Sequence, residues 1–351
     1  MMIRVIENLC ILVLLILLVV IIFKKKAIKI IIISGIIIGA IIGGCKWLEY
    51  KFGARESDRI SYCAPCWGPN NKIFFIKHVM YGNYSPLLGS IGYYYKKSEI
   101  YLCSMNADGT DKKEIVMLED TSKKPDFIPV PGDTSKKADL IFPRYLDYCS
   151  KNGLILMSGG DIPSGGWTNG IWIITPDGSN LTKVSNIGMH ASWSPNGKRM
   201  VYDGEKGIWV MNIDGTNNHE ISQDGGNPIW SPRGDLIAFV CKGWIYTMKP
   251  DGSERRKVCD NYLGDWSPDG TMLMTASPRG IIDLNGKSVR EFPVEESTNG
   301  KWSPDGKMFL GKRDFILYDS VTGKKIGYPL SVGVLRSEGK YFVYKKPNNI
   351  W

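Results

Sequence analysis

The residue types that most often do chemistry are sparse in this chain: three histidines and eight cysteines among 351 residues. His78 ends one expected strand, His190 precedes a second and His219 lies on a third, outer one. Ligands so dispersed do not make a tetrahedral metal site, and each reads as an ordinary surface or pocket histidine. Cys63-Ala-Pro-Cys66 has the C-x-x-C form, but no second pair at zinc spacing follows and no βαβ pattern supports a redox reading. The cysteines of the folded part read as small apolar strand residues, and an oxidising compartment would permit Cys63–Cys66 or Cys241–Cys259 disulfides. Gly-x-Ser-x-Gly elbows, Walker loops and His-Glu-x-x-His are absent. No cofactor is expected, and a binding module is favoured over an enzyme.

What must position any site is a repeat. Trp193-Ser-Pro-Asn-Gly197, Trp230-Ser-Pro-Arg-Gly234, Trp266-Ser-Pro-Asp-Gly270 and Trp302-Ser-Pro-Asp-Gly306 lie 37, 36 and 36 residues apart. Proline presets the first corner, the Asp or Asn side chain can bond the backbone two residues on, and glycine supplies positive φ. An apolar run of strand length follows each phrase, such as Leu236-Ile-Ala-Phe239. Then comes an Ile208-Trp-Val-Met211 type of strand and an Asp214-Gly-Thr type of turn. Each unit therefore reads as four antiparallel strands, A to D, the content of one propeller blade.

Weaker copies open at Trp67-Gly-Pro-Asn-Asn71, at Cys149-Ser-Lys-Asn-Gly153 and at Leu335-Arg-Ser-Glu-Gly339. Counting them gives an all-β propeller of seven blades, six remaining possible because the early copies are degenerate. The seventh copy is incomplete, so a closing strand should come from upstream of Trp67, around Trp47–Phe52 or Arg59–Tyr62. These phrases resemble the TolB-like propeller family over roughly Trp67 to Trp351. The resemblance implies the fold, and for function it implies binding scaffolds, oligopeptidase lids or occasional glycan lyases.

In such a propeller the A–B and C–D turns share one face, and the B–C and D–A connections share the other. The long insertions fall on the second face: 80–98 with Tyr93, Tyr94 and Tyr95, 158–170 with Trp167, and 118–148. The channel mouth on that face should present His190, Asn227, Asp265, Asn299 and Lys301, which with the four aromatics are the candidate binding residues.

Residues 1–57 form a separate object, and 58–351 the propeller. Leu9–Phe23 and Ile30–Gly44 are apolar runs separated by Lys24, Lys25, Lys26 and Lys29. Extended by flanking residues, they read as a two-helix transmembrane hairpin. The lysine cluster places the hairpin loop in the cytoplasm and the propeller outside it. Ile42-Gly-Gly-Cys45 resembles a bacterial lipobox, which makes Cys45 a possible lipidation site. The net charge of +9 is spread without a dense basic block, so no nucleic-acid partner is expected. The sequence thus points to a cell-membrane-tethered module that binds a protein or a cell-envelope polysaccharide. A glycan-degrading lyase or hydrolase with its site in the mouth is the alternative.

Overall fold

The computed structural model describes residues 55–84, 93–120, 143–159, 170–276, 279–291, 300–311, 315–327, 334–337 and 340–344. The chain divides into two compact units, Met1–Ser57 with Gly82–Tyr94, and Asp58–Tyr81 with Tyr95–Trp351. The apolar runs before residue 45, Cys45 itself, Trp167 and Asn299 lie outside the described residues. Among the described residues no helix is long and apolar enough to cross a membrane.

The architecture is all-β, a six-bladed propeller. Blade 1 is β1 (Arg55–Trp67), β2 (Lys72–Tyr84), β3 (Tyr93–Asn106) and β4 (Lys113–Asp120). Blade 2 is β5 (Tyr145–Cys149), β6 (Leu154–Ser158), β7 (Ile171–Ile174) and β8 (Thr182–Ser185). Blade 3 is β9 (Met189–Trp193), β10 (Arg199–Asp203), β11 (Ile208–Asn212) and β12 (His219–Ser222). Blade 4 is β13 (Gly226–Trp230), β14 (Ile237–Cys241), β15 (Trp244–Met248) and β16 (Arg256–Asp260). Blade 5 is β17 (Leu263–Trp266), β18 (Met272–Ala276), β19 (Arg279–Asp283) and β20 (Ser288–Glu291). Blade 6 is β21 (Gly300–Trp302), β22 (Met308–Gly311), β23 (Leu317–Asp319) and β24 (Lys325–Gly327).

The seventh copy does not make a blade. Its strands β25 (Val334–Ser337) and β26 (Lys340–Tyr344) form a hairpin that joins the sheet of blade 1, with Arg59 opposite Tyr344 and Ile60 opposite Val343. A two-stranded hairpin is marginal alone, so it adds to an existing strand edge. The outer strand expected to complete a seventh blade is therefore not formed among the described residues: Arg59 and Ile60 lie in the first half of β1, whose second half is the A strand of blade 1.

The repeated turns form as their residues dictate. In the last, Ser303 N–H donates to Met308 O at 2.8 Å, Met308 N–H donates to Ser303 Oγ at 2.9 Å, and Ser303 Oγ donates to Asp305 at 2.6 Å. Gly306 closes the turn at φ 72°, a left-handed conformation that favours glycine. In the C–D turns the aspartate accepts the N–H two residues on, as Asp108 does from Thr110 and Asp251 from Ser253, both at 2.9 Å. Hydroxyl bonds from Thr110, Thr216 and Ser253, together with these backbone bonds, hold the carboxylates of Asp108, Asp214 and Asp251 below their ordinary range, and the Thr175 hydroxyl with the bonds from Ser179 brings that of Asp177 down to about 2.

The core is six apolar clusters, one between each pair of successive blades. Trp193, Met200 and Met211 pack on blade 2, Trp230 and Phe239 on blade 3, and Trp266 and Leu273 on blade 4. Phe309 and Tyr318 pack on blade 5, with half-buried Trp302 beside them. The sixth cluster joins Trp67, Ile73 and Phe75 of blade 1 to Leu310, Phe315 and Leu317 of blade 6. That seam, reinforced by a 3.0 Å bond from Trp67 Nε1 to Lys301 O, closes the ring at six.

Candidate functional site

Register identifies equivalent positions on the innermost strands. Trp193 pairs with Met200, Trp230 with Ile237, Trp266 with Leu273 and Trp302 with Phe309, each seven residues apart. In blade 2 the pair with that spacing is Tyr148 and Ile155. Tyr148, and not Cys149, therefore takes the tryptophan position, which corrects the sequence alignment by one residue. The residue before it, Asp147, becomes equivalent to Ser192, Ile229, Asp265, Lys301 and Cys66.

Hydrogen bonds support that equivalence. Asp147 Oδ2 accepts Trp193 N–H at 2.8 Å, Ser192 Oγ accepts Trp230 N–H at 3.4 Å, and Asp265 Oδ2 accepts Trp302 N–H at 3.0 Å. These three side chains thus reach the backbone of the next blade. With a residue lacking an acceptor, the contact changes hands: Trp266 Nε1 donates to Ile229 O at 3.0 Å.

Lys301 joins three blades at this inner layer. Its Nζ lies 3.7 Å from Asp147 Oδ1 of blade 2 and 3.9 Å from Asp265 Oδ1 of blade 5. Only the innermost strands of a ring can bring these blades onto one ammonium, so the three residues meet across the ring at that level. Burial alone works against the charge on Lys301, but Asp265 and Asp147 outweigh it and hold its pKa above the lysine range. Cys66 stands in the same ring. Burial, with Asp147 adding to it and Lys301 opposing, pushes its thiol well up, so it is an inert thiol.

Two residues toward the start of each inner strand lies a second layer: Ala64, Tyr145, His190, Asn227 and Leu263. Ala64, His190 and Asn227 have φ of 55°, 47° and 54°. Register shifts mark the same stretch in blades 3, 4 and 5. This is a recurrent bulge that re-aims the strand at the mouth, so the left-handed backbone at His190 belongs to the scaffold. Its side chain is what differs. His190 Nδ1 is 2.6 Å from Asp203 Oδ2, and the rings of His190 and Tyr145 are 4.0 Å apart between centroids. Asp203 Oδ1 is buried with no hydrogen-bond partner.

Of the sequence-predicted residues, His190, Asn227, Asp265 and Lys301 stand on the inner strands, in two layers and not one. Asp265 and Lys301 meet in the deeper layer, and His190 and Asn227 occupy equivalent mouth positions. Tyr93, Tyr94 and Tyr95 open strand β3 and do not lie in a loop. Tyr81, also read as loop, is on β2, where its hydroxyl donates to Glu99 at 2.6 Å beneath Lys97. Sequence reasoning missed Asp147, Tyr145 and Asp203. The seven-residue pairing of Tyr148 with Ile155 is the signal that finds the first two, and nothing local marks Asp203.

The other histidines stand apart. His78 is buried on β2, where burial and then Arg144 lower its pKa to about 3. His219 is exposed on the outer strand β12. Among the described residues no cluster of His, Cys, Asp and Glu is placed to hold a metal ion. The described cysteines are free thiols, and Cys241 on β14 is separated from Cys259 on β16 by β15. No protein-family model matches the chain, and no curated protein matches it.

Proposed function

We propose that this chain is a membrane-tethered, extracytoplasmic propeller, of the TolB-like kind its repeats resemble, that captures a protein or a cell-envelope glycan on one face. A propeller suits an interaction role because rigid blades present variable loops. The observation that carries the assignment is the distribution of connections. Those longer than the seven residues between β7 and β8 are 85–92, 121–144, 159–170 and 292–299, and all four are B–C or D–A connections. The opposite face carries only tight turns. Residues 1–57, with their apolar runs and the lysine cluster between them, would supply the anchor, with Cys45 a possible lipidation site.

The test is capture from crosslinked membranes with the intact protein. Shortening 85–92 or replacing Trp167 should abolish capture, and changes to the Ser-Pro-Asp-Gly turns of blades 5 and 6 should spare it. Capture that follows the tight-turn face instead would overturn the reading. Protease added outside intact cells should reach the propeller, and full protection would reverse the orientation. A second reading, a glycan-degrading enzyme, draws on the His190–Asp203 pair, an arrangement suited to proton transfer. Release of reducing ends from envelope polysaccharide, lost in His190→Ala, would favour it.

A further inference from the structure

We propose that the channel mouth holds a saccharide subsite built on His190, Tyr145 and Asn227. It rests on the loop face being the binding face. The 2.6 Å contact of His190 Nδ1 with Asp203 Oδ2 fixes the ring through that nitrogen and leaves Nε2 to a ligand, an imidazole oriented by a second residue. The Tyr145 ring lies against the imidazole at 4.0 Å with the planes at 58°. It limits rotation and adds an aromatic surface. Asn227, exposed at the equivalent position of the next blade, brings an amide with both donor and acceptor.

The layer below begins two residues deeper, about 6.6 Å along a strand, and there Lys301 stands with its two carboxylates. What fits is a group about one ring deep that offers hydroxyls to Nε2, a donor–acceptor pair to the amide and a C–H face to an aromatic plate. A pyranose meets all three requirements. A single side-chain hydroxyl of a protein partner would use only one of them. An organic cation would be drawn to Asp147 and Asp265, where Lys301 already stands.

The full-length chain in lipid nanodiscs, mixed with methyl glycosides of glucose, galactose, mannose and N-acetylglucosamine, provides the test. Saturation-transfer NMR should show at least one glycoside binding saturably at millimolar concentration. Affinity should fall about tenfold or more in His190→Ala and in Asn227→Leu, the second an exposed position whose change leaves the fold intact. Asp203→Leu, which removes the partner behind Nδ1, should weaken binding while unlabelled glycoside still displaces what remains. No saturable glycoside signal, binding that survives both His190→Ala and Asn227→Leu, or binding of n-butylammonium in place of every glycoside would overturn the subsite. If loop shortening abolishes partner capture but these mouth variants do not, the subsite fails and the face assignment stands. Glycoside binding with capture indifferent to the loops would do the reverse.

Discussion

Replacing Lys301 with methionine removes a charge from the centre of the ring with little change of volume. At an effective dielectric near 20, each contact at 3.7 and 3.9 Å is worth about 4 kcal/mol before desolvation. Relief of the lysine's own desolvation offsets much of that. What remains is two carboxylates facing each other with no cation between them, and breaking a buried ion cluster in this way costs on the order of 3 to 5 kcal/mol. Urea unfolding of the detergent-solubilised chain measures it. The decisive control is the triple variant Lys301→Met, Asp147→Asn, Asp265→Asn. Its amide oxygens can still accept from Trp193 and Trp302 N–H, and no charge is left unpaired, so it should recover most of the loss. The gap between the single variant and the parent chain should also narrow at low pH, where two facing carboxylates no longer repel. A single-variant cost under about 1 kcal/mol, or a triple variant no more stable than the single, would refute the idea that the ammonium holds blades 2, 5 and 6 across the channel.

Trp230→Ala, in the buried cluster between blades 3 and 4, should cost on the order of 3 to 5 kcal/mol by chemical denaturation. Tyr148→Ala should destabilise far more than Cys149→Ala if the shifted register is right, and the reverse order would restore the original alignment. The turn aspartates have folded pKa values below the ordinary 3.8, Asp177 to about 2. Their contribution is therefore complete above that ordinary value and is lost as pH falls through the folded values. Unfolding free energy should drop between roughly pH 4 and pH 2, and Asp177→Asn should flatten part of that slope. Cys66 should resist alkylation in the native state while half-buried Cys259 reacts, and equal rates would contradict the packing of the inner ring.

The blades were legible because their turns are chemical devices. Ser303, Asp305 and Gly306 each have one job in closing a hairpin, and the same three jobs recur along the chain, so the fold can be read from single residues at fixed spacing. The blade number was harder. Leu335–Gly339 has the pattern of an A–B hairpin and forms one, but whether a hairpin founds a sheet or joins another depends on the pairing of β26 with Arg59 and Ile60, a contact far apart in sequence. The register of blade 2 failed for a local reason. Its turn uses Tyr148 where the other complete copies use tryptophan, and Cys149 offered a tempting false match.

The candidate site was legible only as a list of positions, because a repeat specifies its own equivalence and not its exceptions. The tryptophans are alike in five blades, with Tyr148 in blade 2, because each fills the same gap between sheets. The residue before each turns toward the next blade, where either a backbone N–H or an apolar cluster can meet it, and there the chain places Cys66, Asp147, Ser192, Ile229, Asp265 and Lys301. Asp147, Ser192 and Asp265 spend an acceptor on the next blade's backbone, and that shared task explains why acceptors are common at the position. It does not explain a lysine. Lys301 cannot accept, and Trp67 takes its backbone oxygen instead, so its ammonium is free to answer the remaining oxygens of two aspartates from other blades. The channel's charge pattern is therefore the product of one departure from the repeat. The same logic applies one layer up, where Ala64, His190 and Asn227 share a bulge but only His190 has a carboxylate behind it. Departures of this kind, at positions the repeat does not fix, are where a ligand preference can be written into a propeller without disturbing its blades.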